Sequence, residues 1–282
     1  MGESRKSGWC KGRVNRCVPQ SASRNSRRLQ HAPSAIQHHV HPCLKIGLAF
    51  STMVCVSCAH TPASLEALSP NFDERRPNFV IIHYTSDDTA EQALATLTSA
   101  TSKVSAHYLI ARDGIVYPLV PESRRAWHAG DSYWGGNRDM NSASIGIELD
   151  NNGSEAFSEP LLSSLLLLLV DLQQRYSIPT ANFLGHSDVA PRRKVDPGRW
   201  FPWQRLAAVG FGLWCEPPYA RAPVGSDPYL MLAAMGYDVT VPDAALAAFK
   251  LHFAPQAAAS FTDDDAALLF CLASAKLQSG NH

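Results

Sequence analysis

Apolar residues in this chain follow two rhythms, each predicting a different kind of element. Asn78–Tyr84 (NFVIIHY) is a short apolar run rich in β-branched residues, as in a strand buried on both faces. Ala106–Ile110 and Ile115–Val120 are strand-like runs around Arg112-Asp113-Gly114, a hairpin turn signal. Ser144–Leu149 (SIGIEL) alternates apolar with small or polar residues, and Asn182–Leu184 is a short strand running into Gly185-His186. Helical signals fall between these strands. Asp88-Thr89-Ala90-Glu91 resembles a capping box opening a helix through about Ser99. Pro160–Tyr176 is a long helix. Its apolar stretch Leu161–Val170 follows Ser158-Glu159-Pro160 and precedes Asp171, which fits a buried helix with a capped start rather than a membrane span. Strands interleaved with helices predict an α/β fold with a mixed central β-sheet flanked by helices.

Beyond Glu216–Pro223, a Pro-rich stretch read as a linker, the pattern becomes purely helical. Ser226-Asp227-Pro228 opens a helix ending near Gly236, Pro242-Asp243 opens one reaching Phe253, and Thr262 with three acids opens one through about Gln278. This small C-terminal helical module is marginal alone and is expected to dock on the sheet domain.

Charge adds an asymmetry. The chain has 25 Lys+Arg and 25 Asp+Glu, yet residues 1–58 hold nine of the bases and only one acid, Glu3. The remainder is acidic, which argues against a nucleic-acid partner. Five of the seven cysteines also fall in this N-terminal stretch, at positions 10, 17, 43, 55 and 58. Residues 1–43 are basic, Ser-rich and aperiodic, as expected of an unstructured tail or, less simply, a transit peptide. The preferred reading places the true start near Val40. Lys45 followed by the apolar run Ile46–Val56 then forms a signal-peptide n- and h-region. The run ends Cys55-Val56-Ser57-Cys58-Ala59, which resembles a bacterial lipobox with Cys58 as the lipidated residue, although Cys55 stands where Leu is usual. A lipid anchor would hold the protein on a membrane without a spanning helix, and Ala59 favours the outer membrane. The alternatives are cleaved soluble export and an uncleaved or cytosolic form. Cys215 and Cys271 are the only cysteines of the body. Two buried free thiols are preferred over a bridge between them.

Candidate chemistry gathers at predicted strand ends. His83 ends the first strand, Glu148 another, and His186, Lys194 and Asp196 lie on the loop after a third. Two histidines and a carboxylate suffice for catalytic zinc with a fourth position open to water. Without an HExxH motif, spacing alone leaves satisfied core histidines and an ordinary turn acid as the simpler reading.

Five segments together change that balance: FVIIHYT, SAHYLIARDGIVYPLV, AWHAG, SIGIELDN and GHSDVAPRRKVDPG. In order and spacing, over roughly residues 77–212, they resemble the amidase-2 family of N-acetylmuramoyl-L-alanine amidases and peptidoglycan recognition proteins, nearest to its lipoprotein members. The resemblance implies zinc held by His83, His186 and Asp196, with Glu148 as general base and acid and Lys194 stabilising the oxyanion. It implies hydrolysis of the amide between N-acetylmuramic acid and L-alanine in peptidoglycan or muropeptides, by a monomer on the periplasmic side of the envelope. Tyr84, His107, Trp127 and His128 are candidate substrate contacts, though each could simply pack; Tyr133 and Trp134 are a candidate sugar platform. The expected organisation is 1–58 as leader, 59–76 as tether, 77–213 as catalytic domain, 214–225 as linker and 226–282 as a helical module resembling a peptidoglycan-binding domain. Two other functions remain open: a non-catalytic peptidoglycan-binding protein, and a cytosolic anhydro-muropeptide recycling amidase. The first would be expected to lack one of the five site residues, all of which are present.

Overall fold

The computed structural model describes residues 69–279, apart from 72, 258 and 259. The leader, the lipobox-like segment and Cys58 lie outside the described residues.

A five-stranded sheet organises the fold. Its strands are β1 (Phe79–Tyr84), β2 (Tyr108–Ile110), β3 (Val116–Pro118), β4 (Ser144–Leu149) and β5 (Phe183–Gly185), in spatial order β3-β2-β4-β1-β5. β1 runs parallel to both β4 and β5, β2 runs parallel to β4, and only β3 is antiparallel, paired with β2. The β2–β3 hairpin turns at Gly114, whose φ of 89° suits a residue without a Cβ.

The helices follow in chain order: α1 (Ala90–Leu97), α2 (Met140–Ala143), α3 (Glu159–Tyr176), α4 (His186–Val189), α5 (Trp203–Ala207), α6 (Pro228–Met235), α7 (Pro242–Phe253) and α8 (Asp263–Ser279). Thr89 caps α1, Ser158 caps α3 and Asp227 caps α6, each accepting a backbone N–H from the first turn. The expected elements are all present, with ends moved by a residue or two. The short α2, α4 and α5 carry no clear periodicity and were not foreseen.

Strand alternation sorts the two faces. Val80 and Ile82 of β1, and Ile145, Ile147 and Leu149 of β4, pack into one core with Leu161, Leu165, Leu169 and Leu172 of α3. Ile81 and Leu184 face the other way, into a second core with Leu232, Phe249, Leu269 and Leu272 of the C-terminal helices. Burying each such side chain contributes about 1.5–3 kcal/mol. His83 and Glu148 therefore project from the face away from α3, at the C-terminal ends of adjacent parallel strands.

Cys215 and Cys271 are joined by a disulfide across a sequence separation of 56, with Cα atoms 6.4 Å apart. This corrects the expectation of two free thiols. Only packing α8 against the segment after α5 brings the sulfurs together, and no sequence pattern encodes that approach. Among the described residues no helix is long and apolar enough to cross a membrane.

Candidate active site

Three side chains converge beyond the ends of β1 and β5. His83 Nδ1 lies 2.9 Å from His186 Nδ1, and each lies 3.1 Å from Asp196 Oδ2. All three residues are buried. Strand β1 delivers His83, the start of α4 delivers His186, and the loop after α4 folds back to deliver Asp196. The backbone N–H of Ser187 donates to the Asp196 carbonyl and so fixes that loop against α4.

Hydrogen bonds on the far sides of the rings decide which nitrogens are bare. His186 Nε2 lies 3.2 Å from the Ala129 carbonyl, which can only accept. The Nε2 therefore carries the proton, and in the neutral ring Nδ1 presents a lone pair. His83 is settled by a longer chain. The Ser144 hydroxyl donates to the Met140 carbonyl. Ser144 Oγ is then free to accept from His128 Nε2 at 3.4 Å, which leaves His128 Nδ1 to accept from His83 Nε2 at 3.1 Å. His83 Nδ1 is bare as well. Burial holds His83 down at about 4, so its ring is neutral at neutral pH. Two lone pairs and a carboxylate oxygen at these separations repel one another unless a cation lies among them. The donor set, two imidazoles and one carboxylate, fits catalytic zinc, and both outer nitrogens are already oriented as such ligands require.

Glu148 stands beside this cluster. It pairs in register with His83, and its Oε2 is buried without a hydrogen-bond partner. Burial, and then the negative charge of Asp196, push its carboxyl well above the usual range, against an opposing pull from Lys194. Lys194 is exposed, and it lines the same cavity as Glu148, His83, His186 and Asp196, a cleft of about 360 Å³. Tyr84, Trp127 and His128 line it too, with Trp127 half exposed at its rim. A second hollow of about 310 Å³ beyond the Trp127 side is lined by Lys103 and Arg125.

Two expected contacts are not supported. His107 is fully buried and does not line the cleft: its Nδ1 accepts the Gly146 N–H at 2.9 Å and its Nε2 meets the Arg124 carbonyl at 3.1 Å. Arg75 Nη2 also lies 2.6 Å from its Nε2, and together these contacts hold the ring beneath the site. Trp134 is buried against Tyr237, with ring centroids 4.8 Å apart, rather than offered to a sugar.

The Amidase_2 family, described as N-acetylmuramoyl-L-alanine amidase, matches residues 73–199. The amidase AmiD of Escherichia coli K12 is 34% identical over 249 residues, covering 74% of this chain and 89% of that protein. The chain belongs to the N-acetylmuramoyl-L-alanine amidase family. The segment matched by the amidase family contains all five residues of the proposed machinery. The structure of AmiD in complex with anhydro-N-acetylmuramic acid-L-Ala-D-γ-Glu-L-Lys aligns at a TM-score of 0.64 and 33% identity, covering 74% of this chain and 93% of that one. AmpDH3 of Pseudomonas aeruginosa, in complex with an anhydromuramic pentapeptide, aligns at 0.65 and 28% identity, covering 78% and 99%.

Some residues of this amidase site carry no sequence signal of their own. Asn141, buried at the start of the unforeseen α2, accepts the backbone N–H groups of both His128 (2.9 Å) and Ala129 (2.8 Å) through its Oδ1. It thus pins the short loop whose groups orient both His83 and His186. Arg193 donates to the Ala129 carbonyl at 3.0 Å. Neither partner adjoins it in sequence, so only the folded loop identifies either residue.

Proposed function

We propose that this enzyme hydrolyses the amide between N-acetylmuramic acid and L-alanine in peptidoglycan or its muropeptide fragments, with zinc as its cofactor. The observation that carries this reading is the pair of fixed tautomers at His83 and His186. They leave two lone pairs and the Asp196 carboxylate aimed at one point, beside Glu148, whose Oε2 is buried with no partner. The anhydro-muramyl peptides bound by AmiD and AmpDH3 supply the substrate class.

His83, His186 and Asp196 would hold the metal. When bound, zinc supplies Lewis-acid polarisation of the scissile carbonyl. The chain's own groups do the remainder. Glu148, its carboxyl poised by burial, accepts the proton of the attacking water at Oε2, then delivers it to the departing L-alanine nitrogen. Lys194 places a positive charge at the same cavity and stabilises the oxyanion; losing one such contact costs roughly 10²–10³ in rate. Trp127 offers an apolar face at the rim for the sugar or peptide, and Tyr84 lines the wall.

Zinc content and product mass on a defined muramyl-tripeptide, with and without chelator, test the reading. Stoichiometric zinc and chelator-sensitive release of the peptide are expected. Tight muropeptide binding without turnover by the zinc-loaded protein would favour the non-catalytic alternative. Placement on the outer membrane through a lipid at Cys58 is part of the proposal. It rests on the lipobox-like sequence, and mass spectrometry of the mature N-terminus tests it. An unmodified protein in the cytosolic fraction would favour the recycling alternative.

A further inference from the structure

We propose that the C-terminal helices are part of the scaffold of the metal site, acting on His186 through the buried carboxylate of Asp188. The proposal rests on the reading of His186 as a zinc ligand.

Asp188 lies in α4, two residues after His186, and is only 1% exposed. A carboxylate so buried needs several donors. It has three, and only one is local. Oδ2 accepts the Gly185 backbone N–H at 2.7 Å, and Gly185 is the residue that leads from β5 into His186. The same oxygen accepts from His252 Nδ1 at 2.7 Å, and Oδ1 accepts from the Tyr237 hydroxyl at 2.7 Å. His252 belongs to α7, and Tyr237 follows α6. Two of the three donors therefore come from the helical module.

Both donors are themselves held rigidly. The His252 ring stacks on Trp203, with centroids 3.9 Å apart and planes 16° apart, and on Phe253 at 3.9 Å and 12°. Tyr237 is buried, edge-on to Trp134. The chain of contact runs from α6 and α7, through Asp188, to the peptide group entering His186. Asp188, Tyr237 and His252 are positioning residues, because none of them lines the catalytic cleft. A module that served only to grip the cell wall would need no hydrogen bond to this turn. Removing the module strips two donors from a buried charge beside the ligand, so truncation should damage chemistry as well as any wall binding.

The test uses the full-length protein and the double variant Tyr237→Phe/His252→Phe, which removes both donors while keeping aromatic rings in the core. Leu272→Ala is the control, destabilising the same core from α8 while leaving all three Asp188 donors in place. Zinc affinity is measured by chelator competition under conditions where the wild type and every variant are folded. Amide exchange at Gly185 is followed in the metal-free state. The double variant is expected to lose about 10- to 100-fold in zinc affinity. It should also exchange faster at Gly185, and on a soluble muramyl-tripeptide kcat should fall with KM little changed. The single change Tyr237→Phe should show a smaller loss in the same direction. Leu272→Ala should keep wild-type zinc affinity despite a lower denaturation midpoint. Wild-type zinc affinity and Gly185 exchange in the double variant would overturn the proposal. So would an equal loss of affinity in Leu272→Ala, which would make the effect one of general stability. Failure of the wild-type protein to bind zinc would instead sink the metal reading itself, and Gly185 exchange would still report on the scaffold.

Discussion

His83 and Glu148 face each other in register on adjacent parallel strands, and both project from the sheet face opposite α3. Alternation along β1 and β4 thus places the proposed metal ligand and the proposed proton carrier side by side without any loop to position them. Glu148→Gln is expected to keep stoichiometric zinc and lower kcat by about 10²–10⁴-fold. Zinc analysis and steady-state kinetics on one preparation check this; loss of zinc in the variant would place Glu148 among the ligands instead.

Glu148 must be ionised to accept a proton, and burial raises its pKa above the usual carboxylate range. Activity is therefore expected to fall as pH drops through that raised value, while the enzyme remains folded. Lys194 pulls the same pKa down. Lys194→Met should move the acid limb of the kcat profile to higher pH as well as lower the plateau. An unmoved limb would separate Lys194 from Glu148.

His128 accepts from His83, with Ser144 behind it, a placement suited to orienting the proposed metal site. His128→Ala is expected to weaken zinc binding about 10- to 100-fold. Gly146→Ala should do the same from behind, because an added Cβ would lie 2.3 Å from the His128 ring. Chelator competition on both variants tests this. A raised KM at unchanged zinc affinity in His128→Ala would return it to the substrate contacts.

Trp127 is exposed at the rim between the cleft and the hollow bearing Lys103 and Arg125. Trp127→Ala should raise KM for muropeptides by roughly 2- to 10-fold, as expected for an aromatic contact of about 0.5–1.5 kcal/mol, and leave zinc affinity intact.

Glu122 is the hub of a cluster remote from the cleft. It accepts from Arg175 at 2.8 Å and from the Tyr176 hydroxyl at 2.6 Å, with Tyr108 as a third donor. Burial raises its pKa, but these hydrogen bonds outweigh that and hold it down at about 2, against an ordinary value of 4.5. A depressed carboxylate stabilises the fold fully above its unfolded pKa. That stability is lost as pH falls from about 4.5 through about 2. Glu122→Gln should lower stability near neutral pH by about 1–3 kcal/mol, flatten the acid limb of the stability profile and spare kcat. Urea titrations across that pH range provide the test.

The sequence by itself determined the sheet and its main helices. The apolar run at Phe79–Tyr84, the alternating run at Ser144–Leu149 and the capped leucine-rich helix after Ser158 are local patterns whose burial is favourable in almost any compact arrangement. Within the proposed machinery, His83, His186, Asp196, Glu148 and Lys194 were visible as polar residues at strand ends and in motifs. Their roles came from resemblance, because spacing along a chain does not report distance across a sheet.

Tertiary structure alone decided what surrounds them. Whether Trp134 meets solvent or Tyr237, whether His107 faces substrate or Gly146, and whether Cys215 and Cys271 join depended on how the C-terminal helices and the α2 region pack. The same holds for the outer partners of His83 and His186, His128 with Ser144 behind one and the Ala129 carbonyl at the other. These are single contacts between residues far apart in sequence, set by strand register and by which elements cover each face. No local periodicity carries that information, since each contact exists only once the two cores have closed on opposite sides of the sheet.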